Sequence, residues 1–274
     1  MAAALASCKG GDGKVSTFGS STTRSTTTTT EATDATTPDG SPVTVPGATT
    51  TIKKTSTSLP PATLVKETGT TAVSTKPNTD HLALPKSGAY TFRDSVTGGS
   101  HPDESDRHFD ISVNGQVVRM QQTQVASSGP ASYYEETHRA DGLFLTNSVI
   151  SGSSCVWSPA AASLPQVVID GGSLSTKSKC SAKVGATTYN FDLAIDVSFK
   201  RLRTVVIGGT EHRCIDITRR RVFTNAEGTE TVDATDTYAF DLGIRIATDE
   251  HVVAKSSTDS NEFNHKTVLT SLPS

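Results

Sequence analysis

From residue 86 to the C-terminus, apolar and polar residues alternate in short runs separated by turn dipeptides, a pattern that the first 85 residues lack. The clearest run is 189–199, where Tyr189, Phe191, Leu193, Ile195, Val197 and Phe199 occupy every second position and the residues between them are polar or small. Successive side chains of a strand point to opposite faces, so this spacing predicts a strand with one buried face; no helix would align the six. Phe109, Ile111 and Val113 repeat the alternation, and Asn114-Gly115 then leads into the run 116–125. Asn-Gly favours a two-residue hairpin because both positions need positive φ. Asp141-Gly142 plays the same part between 133–139 and 143–150, and Asn225-Ala226-Glu227-Gly228 is a longer version of it. Further strands are predicted over 89–96, 166–169, 211–223, 231–240, 244–248 and 263–269, and no stretch carries a comparable helical stripe. The expected fold over 86–274 is all-β: a single strongly curved antiparallel sheet, a half-barrel or a barrel, whose closure protects the strand edges.

Composition changes the picture for the N-terminal part. Residues 9–85 are dominated by Thr, Ser, Gly and Pro, with the run Thr26-Thr27-Thr28-Thr29-Thr30 and neighbours such as Thr37-Pro38 and Ser41-Pro42. Large apolar residues are too sparse there to offset the entropy of ordering the chain, so a disordered tether is expected. A Ser/Thr-rich segment containing Pro also resembles O-glycosylated stalks. As a flexible coil of about 75 residues it would have a root-mean-square reach of roughly 45–50 Å.

At the start of that tether, Leu5-Ala6-Ser7-Cys8 resembles a bacterial lipobox, in which a signal peptidase cuts before a cysteine acylated on its sulfur. The resemblance implies lipid attachment at Cys8 and an anchor in a membrane. Only residues 1–4 precede the box, too few for a complete signal. Residues 1–8 therefore read as a truncated lipoprotein signal, with translation starting upstream, or else as an accidental match. No apolar run approaches the ~18 residues needed to cross a bilayer as a helix, so any attachment must be covalent or peripheral. Tether and lipobox together imply an extracytoplasmic address, membrane-anchored at the cell surface.

Four cysteines are present, Cys8, Cys155, Cys180 and Cys214, and none lies in a C-x-x-C pair of the kind that binds structural zinc. In an oxidising compartment Cys155 and Cys180 are expected to bridge, because they flank one short excursion through Trp157-Ser158-Pro159 and Asp170-Gly171-Gly172. Closing a loop of about 26 residues stabilises by roughly 3 kcal/mol in the chain-entropy view. Cys214 is then free, or pairs instead with one of the two. Its phase places it on a face with His212 and Asp216, away from the core.

The segment 205–253 runs through Val206-Ile207-Gly208-Gly209, Cys214-Ile215-Asp216-Ile217, a turn at Gly228, and Tyr238-Ala239-Phe240-Asp241-Leu242-Gly243-Ile244. It resembles the half-β-barrel domains of uncharacterised bacterial cell-envelope proteins, in which an aromatic-x-x-Asp/Glu-Leu-Gly turn leads into the next strand. Related half-barrels carry acyl chains in the concave face, so the resemblance implies an apolar cavity. The residues to line it are Phe191, Leu193, Ile195 and Phe240.

Candidate chemistry is sparse. The stretch from His101 through Pro102, Asp103, Glu104, Ser105, Asp106, Arg107, His108 and Phe109 to Asp110 gathers two histidines and four carboxylates. It follows Gly98-Gly99 and has the composition of a solvated hairpin loop, without the fixed surroundings that metal ligands need. There is no G-x-S-x-G elbow, H-E-x-x-H, phosphate loop or dinucleotide fingerprint. No catalytic residues, metal or cofactor are therefore expected, and the chain does not read as an enzyme. A net charge of −3 gives no global reason to expect nucleic acid. Locally, Arg201, Arg203, Arg219, Arg220 and Arg221 would make a positive patch for anionic lipid headgroups or cell-wall polymers if their strands are adjacent. The functional expectation is a surface-tethered binding module for a lipid or other apolar ligand. The alternative is a structural or interaction domain of the cell envelope with a filled core and no small-molecule ligand.

Overall fold

Period-two alternation governs the observed architecture. The computed structural model describes residues 81–99, 102–123, 132–150, 153–184 and 187–273; the lipobox with Cys8, the tether up to residue 80 and His101 lie outside them. The strands are β1 (Gly88–Gly98), β2 (Asp103–Asn114), β3 (Val117–Thr123), β4 (Tyr133–Arg139), β5 (Gly142–Ile150), β6 (Ser153–Pro165), β7 (Ser173–Val184), β8 (Thr187–Ile207), β9 (Thr210–Thr224), β10 (Gly228–Ala239), β11 (Ile244–Ser256) and β12 (Ser260–Ser271). Each pairs antiparallel with its neighbours in sequence, and β1 pairs with β12, so among the described residues twelve strands close into an up-and-down barrel. Closure leaves no free strand edge.

Most predicted strands occur near their expected bounds, and the departures have identifiable causes. Residues 166–169, expected as a strand, form one helical turn, α1 (Gln166–Ile169), closed by Asp170 N–H donating to Gln166 O at 2.9 Å. Four apolar-rich residues carry too little periodicity to separate a strand from a buried turn. Strands β6 and β7 were not anticipated, because inward positions of β7 are Thr176, Ser178, Cys180 and Ala182 and not large apolar residues. The acidic stretch from Asp103 is not a loop but the start of β2, paired with β1. There Arg93 on β1 engages Glu104 and Asp106 across the ladder.

Because the strands alternate in direction, the connections fall at two ends. One end carries the β2–β3, β4–β5, β8–β9 and β10–β11 turns together with α1 and both chain entries. At the first of these turns Gly115 has φ +59°, as the Asn-Gly pair predicts. A strap at residues 82–85 lies over the same end: Leu82 packs on the core, and Ala83 N–H donates to Phe240 O at 2.8 Å. Gly243, at φ +67°, makes room for it, since a Cβ there would overlap the carbonyl oxygen of Ala83. Among the described residues, the other end carries the β9–β10 and β11–β12 turns.

Two apolar clusters fill the fold. One joins β5 to β10 through Leu143, Trp157, Leu193, Ile195, Ile217 and Tyr238. The second joins Tyr90, Phe92, Ile111 and Met120 of β1 to β3 with Val205, Cys214 and Ile244. Tyr134 touches both, and its hydroxyl points to Met120 Sδ at 2.8 Å.

Candidate functional site

Ladder register shows which inward residues stand beside one another. One rank crosses β7 to β12 as Leu174, Val197, Arg219, Ala234, Glu250 and His265. A neighbouring rank runs Phe199, Ile217, Asp236, Thr248, Thr267 and Asp94, reaching β1. Charged residues at these inward positions meet and form a belt along the wall from β9 to β2. Arg219 Nη2 lies 2.8 Å from Asp236 and 3.7 Å from Glu250, while Arg221 Nη2 donates to Glu250 Oε1 at 2.7 Å. Arg245 reaches Asp236 at 3.3 Å, and the Thr248 hydroxyl donates to the same carboxylate at 2.7 Å. His265 bridges Glu250 at 3.3 Å and Asp94 at 3.1 Å, and Arg107 closes the belt on Asp94. The belt thus ties β12 to β1, the seam that makes the sheet a barrel.

Burial and pairing act against each other in this belt. Burial opposes a charge on His265, yet Asp94 and Glu250 hold its pKa up at about 9. Burial likewise pushes Glu250 up, but Arg221, His265, Arg245 and Arg219 pull it well below the usual carboxylate range. Asp94 is lowered in the same way, His265 and Arg107 overcoming its desolvation. Asp236 in the belt goes the other way, its burial outweighing the pull of Arg219, and so do two carboxyls outside the belt. Burial raises Glu136, which accepts a hydrogen bond from Ser163 Oγ at 2.6 Å, and lifts Glu230 to about 7.

The five arginines expected in one basic patch are not brought together. Period two sends Arg219 and Arg221 into the barrel, where they are 3 % exposed, and turns Arg220 outward to Asp233 at 3.2 Å. Arg201 and Arg203 pair instead with Asp216, at 2.7 and 2.9 Å. Phe191, Leu193, Ile195 and Phe240, by contrast, all belong to the first apolar cluster, Phe191 half-buried at its margin. Cys155 and Cys180 are disulfide-bonded, with Cα atoms 5.5 Å apart. The bond staples β6 to β7, a seam whose ladder register pairs only Ser158 with Lys179.

Cys214 is free and shares a face with His212 and Asp216 as expected, but that face is covered, not solvated. It packs with Val205 and Ala239 in the second cluster, and burial lifts its thiol to about 12. His212 Nδ1 lies 2.8 Å from the Asp241 carboxylate.

The belt residues Asp94, Asp236, Glu250 and His265 are not among the residues expected from motifs, although the sequence carries a signal for them. In β10 the inward phase reads Glu230, Val232, Ala234, Asp236, Tyr238, and in β11 it reads Ile246, Thr248, Glu250, Val252, Ala254. Carboxylates in phase with core residues mark buried partners.

Among the described residues no group of three or more His, Cys, Asp and Glu is placed to hold a metal ion, and no helix is long and apolar enough to cross a membrane. The outer face carries Lys177, Lys179 and Lys183 on β7 and Asp192 and Asp196 on β8, the inverse of the apolar band of a lipid-spanning barrel. No protein-family model and no curated protein matches the chain. Among solved structures, the hypothetical lipoprotein YmcC from Escherichia coli K12 is similar to it, with a TM-score of 0.40 and 10 % identity over 70 % of this chain and 89 % of that one. A likeness that slight carries no argument about fold or function.

Proposed function

We propose that this chain is an extracytoplasmic, non-catalytic binding module, anchored at a membrane through Cys8 and its tether, whose barrel takes an apolar ligand against the first cluster. The observation that carries the reading is that Leu174, Phe191, Phe199 and Phe223 face the interior yet remain only half-buried. Inward apolar surface left partly uncovered is what an apolar ligand would cover. The Cys155–Cys180 bond supports an oxidising compartment. Native mass spectrometry of protein purified from its own envelope tests it: a co-purifying lipid is expected, and uniformly ligand-free protein that also fails to take up decanol would sink the reading. Metabolic labelling with an alkyne fatty acid tests the anchor, and label retained in Cys8→Ser would remove it.

One observation favours the alternative, a structural or interaction domain with a filled core. The belt occupies the wall from β9 to β2 with the chain's own paired side chains, leaving the β3 to β8 side for a ligand. Under that alternative Leu193→Trp leaves every binding signal at baseline; under the binding reading it abolishes uptake.

A further inference from the structure

Polar groups remain unpaired beside the apolar side of the barrel. Ser178 Oγ, Thr176 Oγ1 and Arg221 Nε are buried without a hydrogen-bond partner in the protein. Register gathers them. Thr176, Ile195 and Arg221 stand in one rank across β7, β8 and β9, and Ser178, Leu193, Phe223 and Glu230 stand in the next rank toward the loop end. Two inter-strand steps separate Thr176 from Arg221, about 10 Å between main chains, a gap that an arginine side chain and a bound head group together span. The Arg221 guanidinium lies 5.7 Å from the Phe223 ring centroid, on the side of the Ser178 rank, and Phe223 stands 6.3 Å from Trp157.

All three unpaired groups can donate, and the guanidinium Nε can only donate. What they lack is an acceptor. The charge balance of the wall points the same way. Arg107, Arg219, Arg221, Arg245 and His265 face the carboxylates Asp94, Asp236 and Glu250. Burial pushes Asp236 and the remaining inward carboxyls, Glu136 and Glu230, toward their protonated forms. A buried donor without a partner carries its full desolvation cost, and an anionic oxygen accepting several such donors removes that cost while offsetting the excess of cations.

We propose, on the footing of the binding reading above, that this part of the inner wall holds an amphiphile by its anionic head, with Arg221, Thr176 and Ser178 donating to carboxylate or phosphate oxygens and the tail lying along Phe191, Leu193 and Phe223. The polar and apolar halves of the site are consecutive positions of the same strands, so one ligand meets both. Ser178 and Thr176 select for an acceptor, and Arg221 selects for charge.

The single tryptophan, Trp157, belongs to the same apolar cluster and reports occupancy by fluorescence. The full chain with its disulfide intact is titrated at neutral pH with decanoate, decyl phosphate, decanol and decyltrimethylammonium, each below its aggregation limit. Decanoate or decyl phosphate is expected to bind at least tenfold more tightly than decanol, with decyltrimethylammonium weakest, and the better of the two anions identifies the head as carboxylate or phosphate. The double variant Thr176→Val with Ser178→Ala removes two unpaired hydroxyls and keeps its fold, checked by circular dichroism. It is expected to lose about tenfold in affinity for the anion and none for decanol. Decanol binding as tightly as both anions, or an unchanged anion affinity in the double variant, overturns the anionic head while leaving an apolar ligand in place. No binding of any of the four overturns both.

Discussion

On β7 and β8 the inward positions include Leu174, Leu193, Ile195, Val197 and Phe199, whereas on β10 to β12 the ranks of Val197 and Phe199 continue as Asp236, Thr248, Glu250 and His265. One closed sheet therefore has an apolar side joined by a disulfide and a polar side joined by ion pairs. The apolar side tolerates change by degrees, since its contacts are many and individually weak. The polar side does not, because each buried charge depends on a named partner.

The largest effect is expected from breaking the belt. Glu250→Ala strands Arg221 in the interior, takes one of two carboxylate partners from Arg219 and from His265, and should cost about 3–5 kcal/mol in denaturant unfolding. Replacing Glu250 and Arg221 together by leucine should recover a large share of that loss, and a double variant as unstable as the single would show that the belt is not an electrostatic unit. On the apolar side Leu193→Ala removes a fully buried side chain and should cost about 2–5 kcal/mol, with belt titrations unchanged. Opening the β6–β7 staple by Cys155→Ser with Cys180→Ser should lower stability by roughly 3 kcal/mol, read as a fall in Tm of the variant relative to the oxidised protein.

The pH dependence separates the two sides further. His265 is raised from 6.5 to about 9 in the folded chain, so its contribution is complete below pH 6.5 and is lost as pH rises through about 9. Glu230, raised from 4.5 to about 7, adds a penalty that grows as pH rises from 4.5 through about 7. Denaturation midpoints should therefore fall between pH 6.5 and 9, with Asp94, Glu250 and Arg107 the charged groups facing His265. His265→Gln should flatten that slope, and an unaltered slope would assign it elsewhere. The smallest effect is expected outside the barrel, where Arg220→Ala removes an exposed pair with Asp233 and should change stability by less than about 1 kcal/mol.

Strands with large apolar residues in phase were legible: β4 and β8 to β10 lie close to where the alternation of Tyr189 to Phe199 and its neighbours placed them. Strand β7 was not, because Thr176, Ser178 and Cys180 face inward without being large or apolar. The candidate site was half legible. Phe191, Leu193, Ile195 and Phe240 were identifiable as inward by period, and the Cys155–Cys180 pairing by its enclosed loop. The arginines were read as one surface because a sequence lists Arg219, Arg220 and Arg221 side by side, while a strand separates them onto two faces.

By itself the sequence determined the strand content outside 153–184, the hairpin turns at Asn114-Gly115 and Asp141-Gly142, and the low-complexity character of residues 9–85, since these follow from local periodicity, turn chemistry and composition. Only the tertiary structure decided that the sheet closes between β1 and β12, that Asp94 meets His265 across 171 positions of chain, and that Cys214 is buried. Those facts depend on register between strands distant in sequence. Register is fixed by the summed burial of all twelve strands at once, which no local window contains.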